Sequence, residues 1–203
     1  MEPDLPETVK EYTPVLEQSG YTMLHMINNS LDLFKMEEGT YEVKAAPLDC
    51  RELLKSILAE FESSKKQKGL EIRFNQGAES AIQYVMGEKE KVHSMFSNLI
   101  KNAVEASPEN ETVTITLSPK NVKNDGEEKE RGYLSVDIHN MGTVPEEIRS
   151  RFFERYATSG KQHGTGLGTY SAALIARAHG GSIRFTTSED EGTHVNVDLP
   201  LYT

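Results

Sequence analysis

The chain has 203 residues, 36% hydrophobic and 27% charged, which is room for one ordinary domain with a core and a smaller appendage. A formal net charge of -10 without any basic stripe excludes nucleic acid as a partner, and no apolar run approaches the roughly 20 residues of a membrane span. The only cysteine, Cys50, excludes an intrachain disulfide and accords with a reducing, cytoplasmic setting. It lies ahead of a helix-like run with no histidine partner evident, so a buried neutral thiol is expected there rather than a nucleophile.

In chain order, Met1 to Pro14 contains three prolines and predicts an irregular start. From Val15 to about Glu38, Leu24, Ile27, Leu31 and Phe34 alternate three- and four-residue steps. Met23, Met26, Leu33 and Met36 widen this seam, and Gly39 is a stop signal. Asp49 or Cys50 starts a second helix with Leu53, Leu54, Ile57, Leu58 and Phe61, fading into the polar run Ser63 to Gly69. Leu70 to Phe74 and Ile82 to Met86 read as strands, and Glu88 to Ala106 as a strongly periodic helix.

Further strands are expected at Val113 to Leu117 and Tyr133 to Ile138, joined by a polar loop from Ser118 to Gly132. Pro145 to Tyr156 predicts a short helix. A helix from about Thr169 to His179 stops at Gly180-Gly181, and strands near Ile183 to Thr187 and Val195 to Leu199 close the pattern. Helix first, then strand pairs mixed with helices, argues for an α+β two-layer sandwich, a mixed sheet covered by helices, rather than a doubly wound parallel sheet. The expected division is a helical segment over 1–45 and a mixed α+β domain over 46–203.

Three segments carry chemistry. Asn98 and Asn102 stand at i and i+4 on one helix face, and their amide oxygens are hard neutral ligands suited to Mg²⁺; two solvated surface amides are the bland alternative. Gly164-Thr165-Gly166-Leu167-Gly168 precedes a helix, where backbone N–H groups and the helix dipole favour an anion. The spacing is not that of a dinucleotide fingerprint, and no Gly-Lys-Ser/Thr ending makes it a Walker loop. Between them, Arg151 to Lys161 supplies cations and hydroxyls that an acidic protein needs near phosphates.

In order and spacing these segments resemble the boxes of sensor histidine kinases: an N box at Asn98 to Ala106, a first glycine box at His139 to Pro145, an F box at Phe152 to Lys161 and a second glycine box at Gly164 to Gly168. Leu24 to Gly39 resembles the second helix of that family's dimerisation hairpin, and Gly192-Thr193 its last hairpin. The resemblance implies ATP and Mg²⁺ as cofactors, with Asn98 and Asn102 as metal ligands. It implies nucleotide contacts from Asn140, Gly142, Lys161, Gly164, Thr165, Gly166, Leu167 and Gly168, with Lys101 and Arg155 as lesser candidate cations.

The usual adenine-binding aspartate is replaced by Asn140 or, counting from Pro145, by His139; Asn140 keeps the residue-x-Gly spacing. Ser94, one turn before Asn98, and neighbouring His93 are the candidates for assisting proton transfer. The residues from Met141 to His163 correspond to an ATP lid. None of the six histidines matches the family's phosphoacceptor, so the acceptor helix is expected to lie outside this sequence and the fragment is not expected to autophosphorylate. The implied activity is transfer of the ATP γ-phosphoryl to a histidine for relay to a response-regulator receiver domain, by a cytoplasmic protein or the soluble part of a membrane-bound sensor. A homodimer through the first helix is expected. The alternatives are a degenerate nucleotide-sensing or scaffold module, or a protein serine kinase of the same superfamily.

Overall fold

The computed structural model describes residues 7–76, 84–122, 131–159 and 166–202, and the chain divides into two compact units, Met1–Tyr41 and Glu42–Thr203. The first unit is a single helix, α1 (Glu7–Glu37). It begins earlier than the prolines predict, because Pro14 lies inside it: an interior proline removes one i to i-4 hydrogen bond, and here the helix continues on both sides. Its end is as expected. Gly39 takes φ +69°, and the N–H groups of Thr40 and Tyr41 turn back to the Lys35 carbonyl. Leu24, Ile27, Leu31 and Phe34 are each more than half exposed. Among the described residues no helix is long and apolar enough to cross a membrane.

In the second unit β1 (Ala46–Asp49) leads into α2 (Cys50–Glu60), whose first turn is capped by the Asp49 carboxylate accepting from the N–H groups of Arg51 and Glu52. Cys50 is fully buried, and burial, helped by the Asp49 charge, pushes its thiol up to about 12, so it stays protonated. Where the sequence reads as fading polar chain there is instead a separate helix, α3 (Glu62–Lys68), ended by Gly69 at φ +65°. The strands β2 (Glu71–Gln76) and β3 (Tyr84–Gly87) precede α4 (Lys89–Ala106).

The hairpin β4 (Thr112–Val122) and β5 (Arg131–Asn140) is longer than expected. Pairing continues through Lys120 opposite Tyr133 and Val122 opposite Arg131, and Lys120 anchors this polar end to Asp198 at 3.1 Å. The expected helix after Pro145 is only α5 (Glu146–Arg149); turns follow, with Glu154 N–H donating to the Arg151 carbonyl. Then come α6 (Gly168–Ala178), β6 (Ser182–Ser188) and β7 (Gly192–Pro200).

The main sheet has the order β2-β4-β5-β7-β6, parallel only between β2 and β4, while β1 and β3 form a small antiparallel pair. Period-2 alternation gives the sheet two chemically different faces. Val113, Ile115, Leu134, Val136, Ile138, Val195, Val197 and Leu199 are buried, together with Val92, Phe96, Leu99 and Ile100 of α4 and Ala172 and Ile175 of α6. The alternate residues face away. There Asp198 is held by Arg184 at 2.7 Å and by Lys120, and His139 stacks on His194 with ring centroids 4.1 Å apart. This is the two-layer α+β sandwich the pattern implied.

One link fixes the spacing of α4 and α6. His179, at the end of α6, donates from Nδ1 to the Ile175 carbonyl at 2.8 Å and accepts the Glu88 N–H on Nε2 at 3.1 Å. A backbone N–H can only donate, so Nε2 must be unprotonated. Burial holds this imidazole below its usual range, against the smaller opposing effects of the Ile175 carbonyl and the Glu88 charge. A depressed native pKa means the unfolded chain binds the proton more readily, so this contribution is complete above about pH 6.5 and is lost as pH falls toward the native value. Chemical denaturation from about pH 7.5 to about pH 5.5 should therefore show wild-type stability declining with acid. The decline should be shallower in His179→Phe, and equal slopes would refute the link.

Candidate functional site

Helix α4 carries the site. Its apolar stripe places Leu99 and Ile100 in the core, leaving Ser94, Asn98 and Asn102, spaced four apart, along one half-buried face. The start of α6 packs on that face. A Cβ built on Gly168 would stand 3.6 Å from Asn102 Nδ2 and 3.8 Å from both Cβ and Cγ of Asn98. The backbone at the N-terminus of α6 thus lies against both amides, and the first N–H groups of an eleven-residue helix add partial positive charge beside two neutral oxygen donors. Among the described residues no group of three His, Cys, Asp or Glu side chains could hold a metal. Two amide oxygens are neutral hard donors of the kind that can share a hard cation with phosphate oxygens.

The chain leading into α6 is shaped by a second close approach. Gly166 sits at φ +65°, and a Cβ there would fall 2.6 Å from the backbone of Tyr156, whose own φ is +61°. The Tyr156 N–H donates to the Gly166 carbonyl at 3.0 Å, joining the turn after Arg155 to the glycine segment ahead of α6. Leu167 follows as the N-cap of α6. Upstream, Phe152 and Phe153 pack on Phe185 of β6 with centroids 4.3 and 5.7 Å away, and the Arg155 guanidinium lies 5.1 Å from the Tyr170 ring. Lys161, Gly164 and Thr165 lie outside the described residues.

The first glycine box meets the far end of the same helix. Gly142 is pressed against the last turn of α4, where a Cβ would stand 2.1 Å from the Ala106 carbonyl oxygen. Asn140, the last residue of β5, is buried on the helix side, and its Nδ2 donates to the Gly142 carbonyl at 3.3 Å. The Gly142 contact at Ala106 thus lies about one turn beyond Asn102, about 6 Å along the α4 axis. His139 is not part of this group. It points to the opposite face of the sheet, stacked on His194, with Nε2 donating to the Glu191 carbonyl at 2.8 Å.

Nor are all the α4 candidates brought together. His93 lies about 140° around the helix from Asn98 and pairs with Glu60 of α2 at 2.9 Å. Lys101 is exposed, with Nζ 3.9 Å from Glu105. Sequence reading missed the supports of the site. Lys68 of α3 donates to the carbonyls of Val104, Glu105 and Ser107 at the end of α4, at 3.0, 3.0 and 2.6 Å. Thr193 donates to the Gly142 carbonyl at 2.7 Å and meets Thr187 at 2.9 Å. Gly192 next to Thr193 was the available signal for the second; a lone lysine in a basic run gave none for the first.

Residues 87–203 match the profile of the histidine kinase-, DNA gyrase B- and HSP90-like ATPases. The chain is 27% identical over 206 residues to the signal transduction histidine-protein kinase BarA of Escherichia coli, covering 97% of this chain and 22% of BarA. It is 28% identical over 191 residues to the sensor histidine kinase WalK of Bacillus subtilis, covering 92% of this chain and 30% of WalK. The chain therefore spans less than a third of either relative. Full-length ShkA, solved in complex with AMPPNP, superposes with a TM-score of 0.70 at 23% identity, over 98% of this chain and 40% of ShkA.

The contact at Gly142 gives a direct test. A methyl group 2.1 Å from the Ala106 oxygen cannot be accommodated without moving backbone, so Gly142→Ala should cost about 3 kcal/mol of stability. Gly20, with nothing within 4 Å inside helix α1, is the control: Gly20→Ala should be neutral or stabilise by up to about 1 kcal/mol. Denaturant titration that ranks the two equally would show that the close approach does not matter.

Proposed function

Because this chain belongs to the family of histidine kinase-, DNA gyrase B- and HSP90-like ATPases, with sensor histidine kinases as its relatives, we propose that it is the Mg-ATP-binding catalytic portion of a two-component sensor histidine kinase. In this reading it transfers the ATP γ-phosphoryl to a histidine of an acceptor helix, and a response-regulator receiver domain then takes the phosphoryl onto an aspartate. The observation that carries the proposal is the convergence of Asn98 and Asn102 on the N-terminus of α6 at Gly168. It joins oxygen ligands for a hard cation to backbone donors for phosphate, in a chain whose net charge would otherwise repel the nucleotide. A single, buried cysteine fits the cytoplasm, or the cytoplasmic part of a membrane-bound sensor, as the setting of this reading.

Each residue has a role in this reading. Asn98 and Asn102 would hold Mg²⁺, which would supply charge neutralisation of the transferring phosphoryl group. The N–H groups following Gly166 and Leu167 bind phosphate oxygens, and Lys161, Gly164 and Thr165 are further nucleotide contacts that the family resemblance suggests. Asn140 accepts a hydrogen from the adenine amino group through Oδ1, and Gly142 sets the loop against α4. Ser94, one turn before Asn98, assists proton transfer from the attacking histidine. His93, paired with Glu60 on another face of the helix, is the weaker candidate. Catalysis is then mainly positioning, with phosphorus–nitrogen bond formation in line with loss of ADP.

Incubation of the chain with Mg-ATP and a separate protein supplying the acceptor helix should give an acid-labile, base-stable phosphoryl group. In Asn102→Ala that product should be lost, and the gain in ATP affinity on adding Mg²⁺ should fall at least about tenfold by titration calorimetry. An unchanged metal dependence in that variant would remove the amide assignment.

Assembly is part of the same proposal. Exposed Leu24, Ile27, Leu31 and Phe34 lie at heptad-like spacing on α1, and contiguous apolar faces of this kind are rarely left in water. Light scattering should find a dimer for the whole chain and a monomer for one beginning at Ala46. A monomer in both cases would reject α1 as the contact.

A further inference from the structure

Lys68 Nζ lies 3.0 Å from the Val104 carbonyl oxygen, 3.0 Å from that of Glu105 and 2.6 Å from that of Ser107. An ammonium group has three protons, and these three oxygens use all of them. The residue passed over is Ala106. Its carbonyl oxygen faces Gly142 instead, where a Cβ would stand 2.1 Å away. One side chain therefore holds the carbonyls on both sides of the one that seats the first glycine box.

The rest of this helix end is engaged as well. The Ala103 carbonyl accepts both the N–H and the hydroxyl of Ser107, at 2.9 and 2.8 Å. Lys68 is itself tied to the turn that follows α4: its carbonyl accepts the Asn110 N–H at 3.1 Å, and the Glu71 N–H donates to the Glu111 carbonyl at 3.0 Å. The end of α4 cannot then shift along its axis without breaking bonds to both the side chain and the backbone of this corner. The charge of Lys68 also lies where the helix dipole is negative. Lys65, three residues earlier, pairs with Glu62 of its own helix at 3.2 Å.

We propose that Lys68 is a positioning residue for bound nucleotide: by fixing the peptide of Ala106 it sets how closely the Gly142 loop lies on α4, and so sets affinity at the base end without touching the ligand. The affinity half rests on the nucleotide reading above and deepens it; the coupling of Lys68 to the loop stands without it. Asn98 and Asn102 lie earlier in α4, within its intrahelical hydrogen bonds. The metal end is therefore not expected to respond to the same change.

Lys68→Met keeps the stem and removes the donors, while Lys65→Met makes the same change of charge and serves as control. With every variant folded and no metal present, K68M should bind ADP about fivefold more weakly than the unaltered chain by titration calorimetry, and K65M within about twofold of it. The gain in ATP affinity on adding Mg²⁺ should be the same in K68M as in the unaltered chain. General loosening of the fold would lower both quantities, so a matching fall in the Mg²⁺ gain would overturn the assignment, as would equal ADP binding by K68M and K65M.

Hydrogen exchange of the nucleotide-free chain tests the coupling by itself. Peptides covering residues 103–107 and 141–144 should both exchange faster in K68M, and faster exchange at the helix end alone would show that the loop is not seated by it. An unaltered chain that binds no nucleotide would sink the nucleotide reading, with the exchange comparison still deciding the coupling. If K68M does not fold, K68R keeps the charge, but its planar fork cannot converge on three oxygens. K68R should then weaken ADP binding at least about twofold, and unchanged binding would reject Lys68 as the positioning residue.

Discussion

Lys68 reaches from the end of α3 to three carbonyl oxygens at the C-terminus of α4, and the site depends on the helix end it holds. The last carbonyls of a helix have no intrahelical partner and carry partial negative charge, so an ammonium group there satisfies hydrogen bonds and dipole together. At the opposite end His179 accepts the Glu88 N–H and so secures the first turn. With both ends held, the positions of Asn98, Asn102 and Ala106 are set relative to the sheet. Gly168 then lies in van der Waals contact with both amides of α4, and Gly142 approaches its last turn at a point that only glycine leaves open. The purine end and the phosphate end of the proposed site are registered by one rigid helix.

Polar chemistry divides between the faces of the sheet according to what it must do. On the outer face Asp198 is buried beneath its own partners, and hydrogen bonds from Ser135, Arg184 and Lys120 outweigh the burial that would raise it, holding its carboxyl below the usual range. On the helix side the buried polar groups Asn140 and Thr193 are joined through Gly142. Buried polar groups persist where their hydrogen bonds are made, and here the made bonds also orient what remains available to a ligand.

Much of this was legible in the sequence because it depends on period. The α4 stripe, the alternation in β4, β5 and β7, and the Gly39 and Asp49 boundaries all follow from local spacing. The choice between His139 and Asn140 was open in sequence, since both align plausibly; the strand period separates them, sending His139 to the outer face and Asn140 inward. What could not be read was set by partners distant in sequence. Lys120 extends the β4–β5 hairpin through Asp198, Lys68 serves a helix end across the fold, and Phe185 receives the two phenylalanines whose turn cuts the α5 helix short. Pro14 misled in the other direction, because local propensity cannot see a helix long enough to absorb it.

The sheet order has a consequence for the time course of folding. Strand β7 (Gly192–Pro200) lies between β5 and β6, although it is the last of the three to be synthesised. Before it is available, β5 has no partner on one side, β6 has none at all, and Asn140 lacks Thr193 opposite it. Such late, non-local pairing makes folding slow and leaves a partly made sheet with open edges. A ribosome therefore has to release the chain through Pro200 before Asn140 has its β7 partner, so a truncated product lacks this end of the proposed site even with Asn98, Asn102 and Gly168 already translated.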